Sequence, residues 1–223
     1  MPELEVIADK YINGIYHKSN ESELELEKFN EIIRNLENLK TNNKNKYICK
    51  LDEYISGNNI LGKIQEHIEN NYIIESRREI LEEILDLYKR KKWQTFINLV
   101  VTQLEGILYD YCIEVDLMPD KLSGFTMGTK LNRLHEQNLF KFYDYFKFYI
   151  EVLRNKVAHG LVICDESELL AKELILDLSA LLYQISNNIK IPIFNLKRLL
   201  SNYKVYKCSH NRYMSDISVF LIS

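Results

Sequence analysis

The segment Arg154-Asn155-Lys156-Val157-Ala158-His159-Gly160 brings a permanent cation, an amide and an imidazole within a few residues of one another. Those are the parts needed to cut RNA without a metal. A base takes the proton from a ribose 2′-hydroxyl, the freed oxygen attacks the adjacent phosphate in line, and a fixed positive charge steadies the transition state. Histidine is the side chain that titrates near neutral pH. Arginine stays charged, and its planar fork matches phosphate oxygens. The products of such a reaction are a 2′,3′-cyclic phosphate and a 5′-hydroxyl, and the chemistry calls for no cofactor.

Helical geometry limits what one copy of the segment can do. At 100° per residue, Asn155 and His159 share a face, whereas Arg154 projects well to the side of His159. A carboxylate elsewhere in the chain is placed to help. Asn98, Thr102, Glu105 and Tyr109 recur at helical spacing and make a narrow polar stripe on an otherwise apolar stretch. Glu105 is therefore expected to hold Arg154 or to orient His159.

Other candidates carry less information. The run Lys89-Arg90-Lys91-Lys92 sits where a helix ends, and cations there suit the helix dipole. With Lys156, Lys130 and Arg133, that run would track an RNA backbone. The aromatic series Phe140, Phe142, Tyr143, Tyr145, Phe146, Phe148 and Tyr149 could stack bases, although such density on one helix more often means core and dimer interface. His135 reads as a surface residue of a short helix. Cys208 and His210 lie close together but lack two further ligands at metal spacing, so no metal site is expected. No glycine-rich phosphate loop and no nucleophile elbow is present.

The elements that must position these residues are helices. Only 7 Gly and 3 Pro occur among 223 residues, which favours long helices over many short strands. Apolar periodicity predicts helices over 22–40, 47–56, 60–70, about 74–89, 93–115, 126–137, 139–158 and 167–188, with a short one near 194–202. Alternation in the last twenty residues suggests a small hairpin. The expected organisation is an N-terminal helical extension over 1–72, a helical bundle over 73–190, and a C-terminal helix and tail over 191–223. A net charge of -3 excludes a generally basic nucleic-acid coat, so any RNA contact must be local. Cys49, Cys112, Cys164 and Cys208 are widely spaced and form no CxxC pair, which suggests reduced thiols. No apolar run approaches the ~18 residues of a membrane span, and the first residues lack an apolar signal core. A cytoplasmic protein without a membrane anchor is the expectation.

The segment from Arg154 to Gly160 resembles the signature of HEPN domains, in which arginine and histidine flank four residues. Asn155, Ala158 and Gly160 match positions seen in many members. Leu99 to Leu108 resembles the family's apolar helix with an embedded acidic residue, and Thr126-Met127-Gly128-Thr129-Lys130-Leu131 is similar to the stretch between the two helices. The resemblance covers about 90–190. It implies an all-α, antiparallel helical bundle and a metal-independent endoribonuclease of the kind found in bacterial toxins and antiviral defence. It also implies a homodimer whose cleft joins Arg154, Asn155 and His159 from both copies, with Glu105 behind them. RNA is the expected partner, alongside an antitoxin or defence-system protein. The alternative is a non-catalytic dimerisation or RNA-binding module serving another protein.

Overall fold

A computed structural model describes residues 35, 38–115, 117, 126–160 and 166–187. The expected helix over 22–40 lies outside them except for its last few residues. The expected helix near 194–202, the C-terminal hairpin, and the pair Cys208 and His210 lie outside them entirely.

The described chain is all-α and contains no strand. Its helices are α1 (Lys44–Gly57), α2 (Ile60–Asn70), α3 (Arg78–Lys89), α4 (Trp93–Glu114), α5 (Met127–Glu136), α6 (Tyr143–Tyr145), α7 (Glu151–Ala158) and α8 (Ser167–Ser186). A 3₁₀ turn (Tyr72–Arg77) leads into α3, and a π turn (Phe146–Ile150) joins α6 to α7. Short polar side chains start several of these elements. Asn43 accepts from the Lys46 amide at α1, Asn71 from the Ile73 amide at the 3₁₀ turn, and Thr126 from the Thr129 amide at α5. Each satisfies a donor that a helix start leaves open.

Helices α4 and α8 form the centre. Phe96, Ile97, Val100, Val101, Leu104, Ile107, Leu108 and Tyr111 of α4 are buried, as are Leu174, Ile175, Leu178, Leu181, Leu182 and Ile185 of α8. Burying each such side chain contributes about 1.5–3 kcal/mol. Helices α1 and α2 pack on α8, α3 packs on α4, and α5 and α7 pack on another part of α4. Leu51, Ile64 and Ile68 belong to the same apolar cluster as the residues of α4 and α8. The helices over 44–70 therefore contribute to the same core as the later ones.

Ion pairs fasten the periphery to this centre. Arg77 grips Asp110 of α4 at 2.5 and 3.1 Å and donates to Gln103 at 3.0 Å, which fixes the 3₁₀ turn. Lys172 of α8, itself buried, pairs with Asp52 of α1 and Glu168.

The helix expected over 139–158 begins later and is not regular. The Leu139 carbonyl accepts from the Tyr111 hydroxyl at 3.1 Å and from the Gln184 amide at 2.8 Å, so α4 and α8 occupy the acceptor a helix would use. Asn138, at φ 54°, turns the chain just before it. Helical residues resume at Tyr143, and within three residues the ladder slips to a π turn in which the Glu151 amide reaches the Phe146 carbonyl. The slip keeps Phe146, Ile150 and Leu153 buried while Phe140 packs edge-on against Phe146 at 5.1 Å. The aromatic series accordingly divides: Phe140, Phe142 and Phe146 are core, whereas Phe148 and Tyr149 are exposed. No helix among the described residues is long and apolar enough to cross a membrane.

Candidate functional site

The site forms where α7 crosses α4 beside the start of α5. Arg154 points toward α4, and its Nε donates to Glu105 Oε2 at 2.6 Å. Its Nη1 donates to Asn155 Oδ1 at 3.2 Å. Nη2 makes no hydrogen bond to any described residue, and the Arg154 side chain keeps 39% of its surface open. The guanidinium is thus held at Nε and at Nη1 while part of its surface stays exposed.

Glu105 lies on the α4 stripe expected from sequence, and of its two expected roles it takes the first: it holds Arg154 rather than His159. Its other oxygen accepts from Lys130 Nζ at 2.9 Å. Lys130 is not the surface cation expected. It is only 5% exposed, with its ammonium 5.6 Å from the Tyr109 ring centre, and the reason is the buried carboxylate it faces. The charges of Glu105, Lys130 and Arg154 sum to one net positive charge.

The remaining contacts fix the motif helix. Glu151, at the start of α7, accepts from the Gly128 amide at 3.1 Å, where α5 begins. A Cβ on Gly128 would meet the Glu151 carboxylate at 2.8 Å, so glycine allows the approach. Gly160 has φ +73°, a left-handed conformation that ends α7 and that other residues adopt only with strain. His159 caps that end, with its backbone amide on the Asn155 carbonyl at 3.0 Å. Its imidazole is exposed and makes no hydrogen bond to any described residue. Arg154 and His159 are not joined, in keeping with their helical spacing. Asn155 and Lys156 are exposed beside His159.

The other expected cations lie farther off or are already engaged. Arg133 is half-buried, with Nη1 donating to the Leu117 carbonyl at 2.8 Å. Lys89, Arg90, Lys91 and Lys92 are exposed at the turn between α3 and α4, where Arg90 pairs with Asp86. At 1.5 Å per residue, Lys92 is roughly 20 Å along α4 from Glu105, so that run cannot share a phosphate with Arg154.

Sequence reading assigns no role to a second polar cluster. Tyr145 donates to Asp177 at 3.0 Å, Tyr47 donates to Glu173 at 3.4 Å, and Lys40 pairs with Glu173 at 2.7 Å. Tyr149 stacks on Tyr145 at 5.2 Å. Burial pushes the Asp177 carboxyl up to about 8, with Glu173 adding to the rise while the Tyr145 hydrogen bond and Lys40 oppose it. The visible signal is Glu173 and Asp177, four apart on one helix. Cys49 is exposed and Cys112 buried, both as free thiols. Burial drives the Cys112 thiol up to about 12, which leaves it inert near neutral pH.

No group of three or more His, Cys, Asp or Glu side chains among the described residues could hold a metal ion. No family model matches the chain, and no curated protein or solved structure matches it.

Proposed function

We propose that the chain is a metal-independent endoribonuclease of the HEPN kind, acting as a homodimer on RNA. One observation carries the reading. Arg154 is held by Glu105 through Nε, its Nη2 has no partner among the described residues, and the exposed Asn155 and His159 lie on and at the end of the same short helix. A fixed, partly exposed cation is what a phosphate requires.

In this mechanism His159 of one copy takes the proton from the 2′-hydroxyl. The 2′-oxygen bonds to phosphorus as the bond to the 5′-oxygen breaks, and His159 of the second copy returns a proton to that leaving oxygen. Arg154 offsets the charge on the non-bridging oxygens, and Asn155 steadies Arg154. Two copies are required because Arg154 and His159 of one helix point apart. The dimer draws support from exposed apolar side chains on the same segment. Phe148 is 69% exposed and Val152 48%, and Val152 shares a helix face with Asn155, Lys156 and His159.

The test is incubation of the purified protein with total RNA in EDTA, alongside His159→Ala and Arg154→Ala. Each variant is expected to slow cleavage by about 10²–10⁴-fold, and the cut ends should carry 2′,3′-cyclic phosphate. Cleavage unchanged in both variants would falsify the mechanism.

One observation favours a second reading, a non-catalytic RNA-binding or dimerisation module. The His159 imidazole has no partner among the described residues to orient it, and a general base is ordinarily held by a third group. Retention of RNA with no cleavage of any substrate selects this reading.

A further inference from the structure

Lys130 is the least exposed of the three charged side chains in the Arg154 cluster. It is nearly enclosed, and its ammonium lies against Glu105 Oε1 at 2.9 Å. Removing a lysine from water costs free energy that a single ion pair often fails to offset, so its place calls for a physical account.

We infer that Lys130 is a positioning residue for Arg154, acting through Glu105; the inference rests on the reading that Arg154 meets phosphate. A carboxylate facing an arginine with both oxygens available tends to take two parallel N–H groups. Here that grip would close over Nε and Nη2 and take the Nη2 group, which makes no hydrogen bond to any described residue. Lys130 opposes it by drawing Oε1 toward its own ammonium, and Glu105 meets Arg154 through Oε2 and Nε alone. Asn155 steadies Nη1, and Nη2 makes no hydrogen bond to any described residue. Two cations on one carboxylate also leave the cluster a net positive charge, which suits an incoming anion. The helix bearing Lys130 is itself fixed at this spot, because the Gly128 amide docks on Glu151 of α7.

The experiment follows rotation of the Arg154 guanidinium by NMR in the full chain labelled at arginine, with Arg154→Lys assigning the signal. In Lys130→Met, Glu105 closes on both N–H groups and rotation about the Cζ–Nη2 bond slows by about tenfold, the scale of one charge-assisted hydrogen bond. RNA cleavage in EDTA falls by a similar factor in kcat with a smaller change in KM. A folded Lys130→Met protein whose Arg154 rotates as in the wild type overturns the inference and leaves Lys130 a stability element. Should Lys130→Met fail to fold, Lys130→Gln carries the same expectation, since its shorter amide leaves Oε1 within reach of Arg154. A wild-type protein that cuts no RNA overturns the ribonuclease reading instead, while the rotation rates still decide the role of Lys130.

Discussion

Replacing Glu105 by glutamine keeps the length of the side chain and removes its charge, which isolates what that charge does for the fold. The Lys130 side chain is 6% exposed and that of Glu105 15%, so the substitution leaves an ammonium buried without its counter-charge. Breaking a buried pair from one side costs about 3–5 kcal/mol, and the glutamine oxygen can still accept one hydrogen bond, which favours the lower end. The contact to Arg154 adds less than about 1 kcal/mol, because an exposed guanidinium is screened by water. The expected loss is therefore about 3 kcal/mol. For a chain of this size each kcal/mol lowers the melting temperature by about 2–4 °C, giving a fall of roughly 6–12 °C. Circular dichroism melts and urea titrations measure both quantities. Adding Lys130→Met to Glu105→Gln should recover most of the loss, since a buried pair replaced by apolar volume is often neutral or better. A fall of less than about 2 °C, or a double variant no more stable than Glu105→Gln alone, would refute the picture of a buried ion pair at the centre of this site.

Three further expectations concern other parts of the molecule. Asp177 holds its proton up to about pH 8 in the folded state, whereas in the unfolded chain it releases it near its ordinary value of 3.8. Between those values the folded state binds the extra proton, so stability falls as pH rises and levels off above the upper value. Urea midpoints across that window should show the slope in the wild type and lose it in Asp177→Asn; parallel slopes would remove Asp177 as the cause. Ile64→Ala should cost about 2–5 kcal/mol in one cooperative transition, because Ile64 is fully buried in the shared core. Two separate transitions would mean that α1 and α2 fold apart from the rest. Val152→Lys should turn the proposed dimer into a monomer in sedimentation velocity and abolish RNA cleavage while the melting temperature holds. An unchanged sedimentation coefficient would take this face out of any interface.

Much of the helical framework was legible because long apolar repeats leave little freedom. The faces of α4 and α8 recur at 3.6-residue spacing, and their bounds fall within a few residues of the periodicity. Glu105 was legible for the same reason, as a carboxylate standing in a polar stripe on an apolar helix. Lys130 was not. In the run Lys130-Leu131-Asn132-Arg133 a lysine reads as solvated, and its burial is decided by a carboxylate on a different helix. The late start of the motif helix was hidden similarly, since it depends on the side chains of Tyr111 and Gln184 reaching one carbonyl. The pairing of Tyr145 with Asp177 joins residues whose local patterns reveal only that each is amphipathic or polar. In each case the missing information lies in contacts between distant segments, which no local repeat encodes.

The π turn has a consequence for how tolerant this motif can be of changes in length. It holds one more residue per turn than the α-helix on either side. Deleting a single residue from Phe146–Ile150 would let the segment regularise with little rotation of α7, because five residues in a π turn and four in an α turn sweep about the same angle. Arg154 would still face Glu105, whereas a deletion between Glu151 and Leu153, in the α-helical part, would turn it by roughly 100° with every letter from Arg154 to Gly160 retained. The direction of the guanidinium is therefore written in the number of residues that separate it from the π turn as much as in their identity.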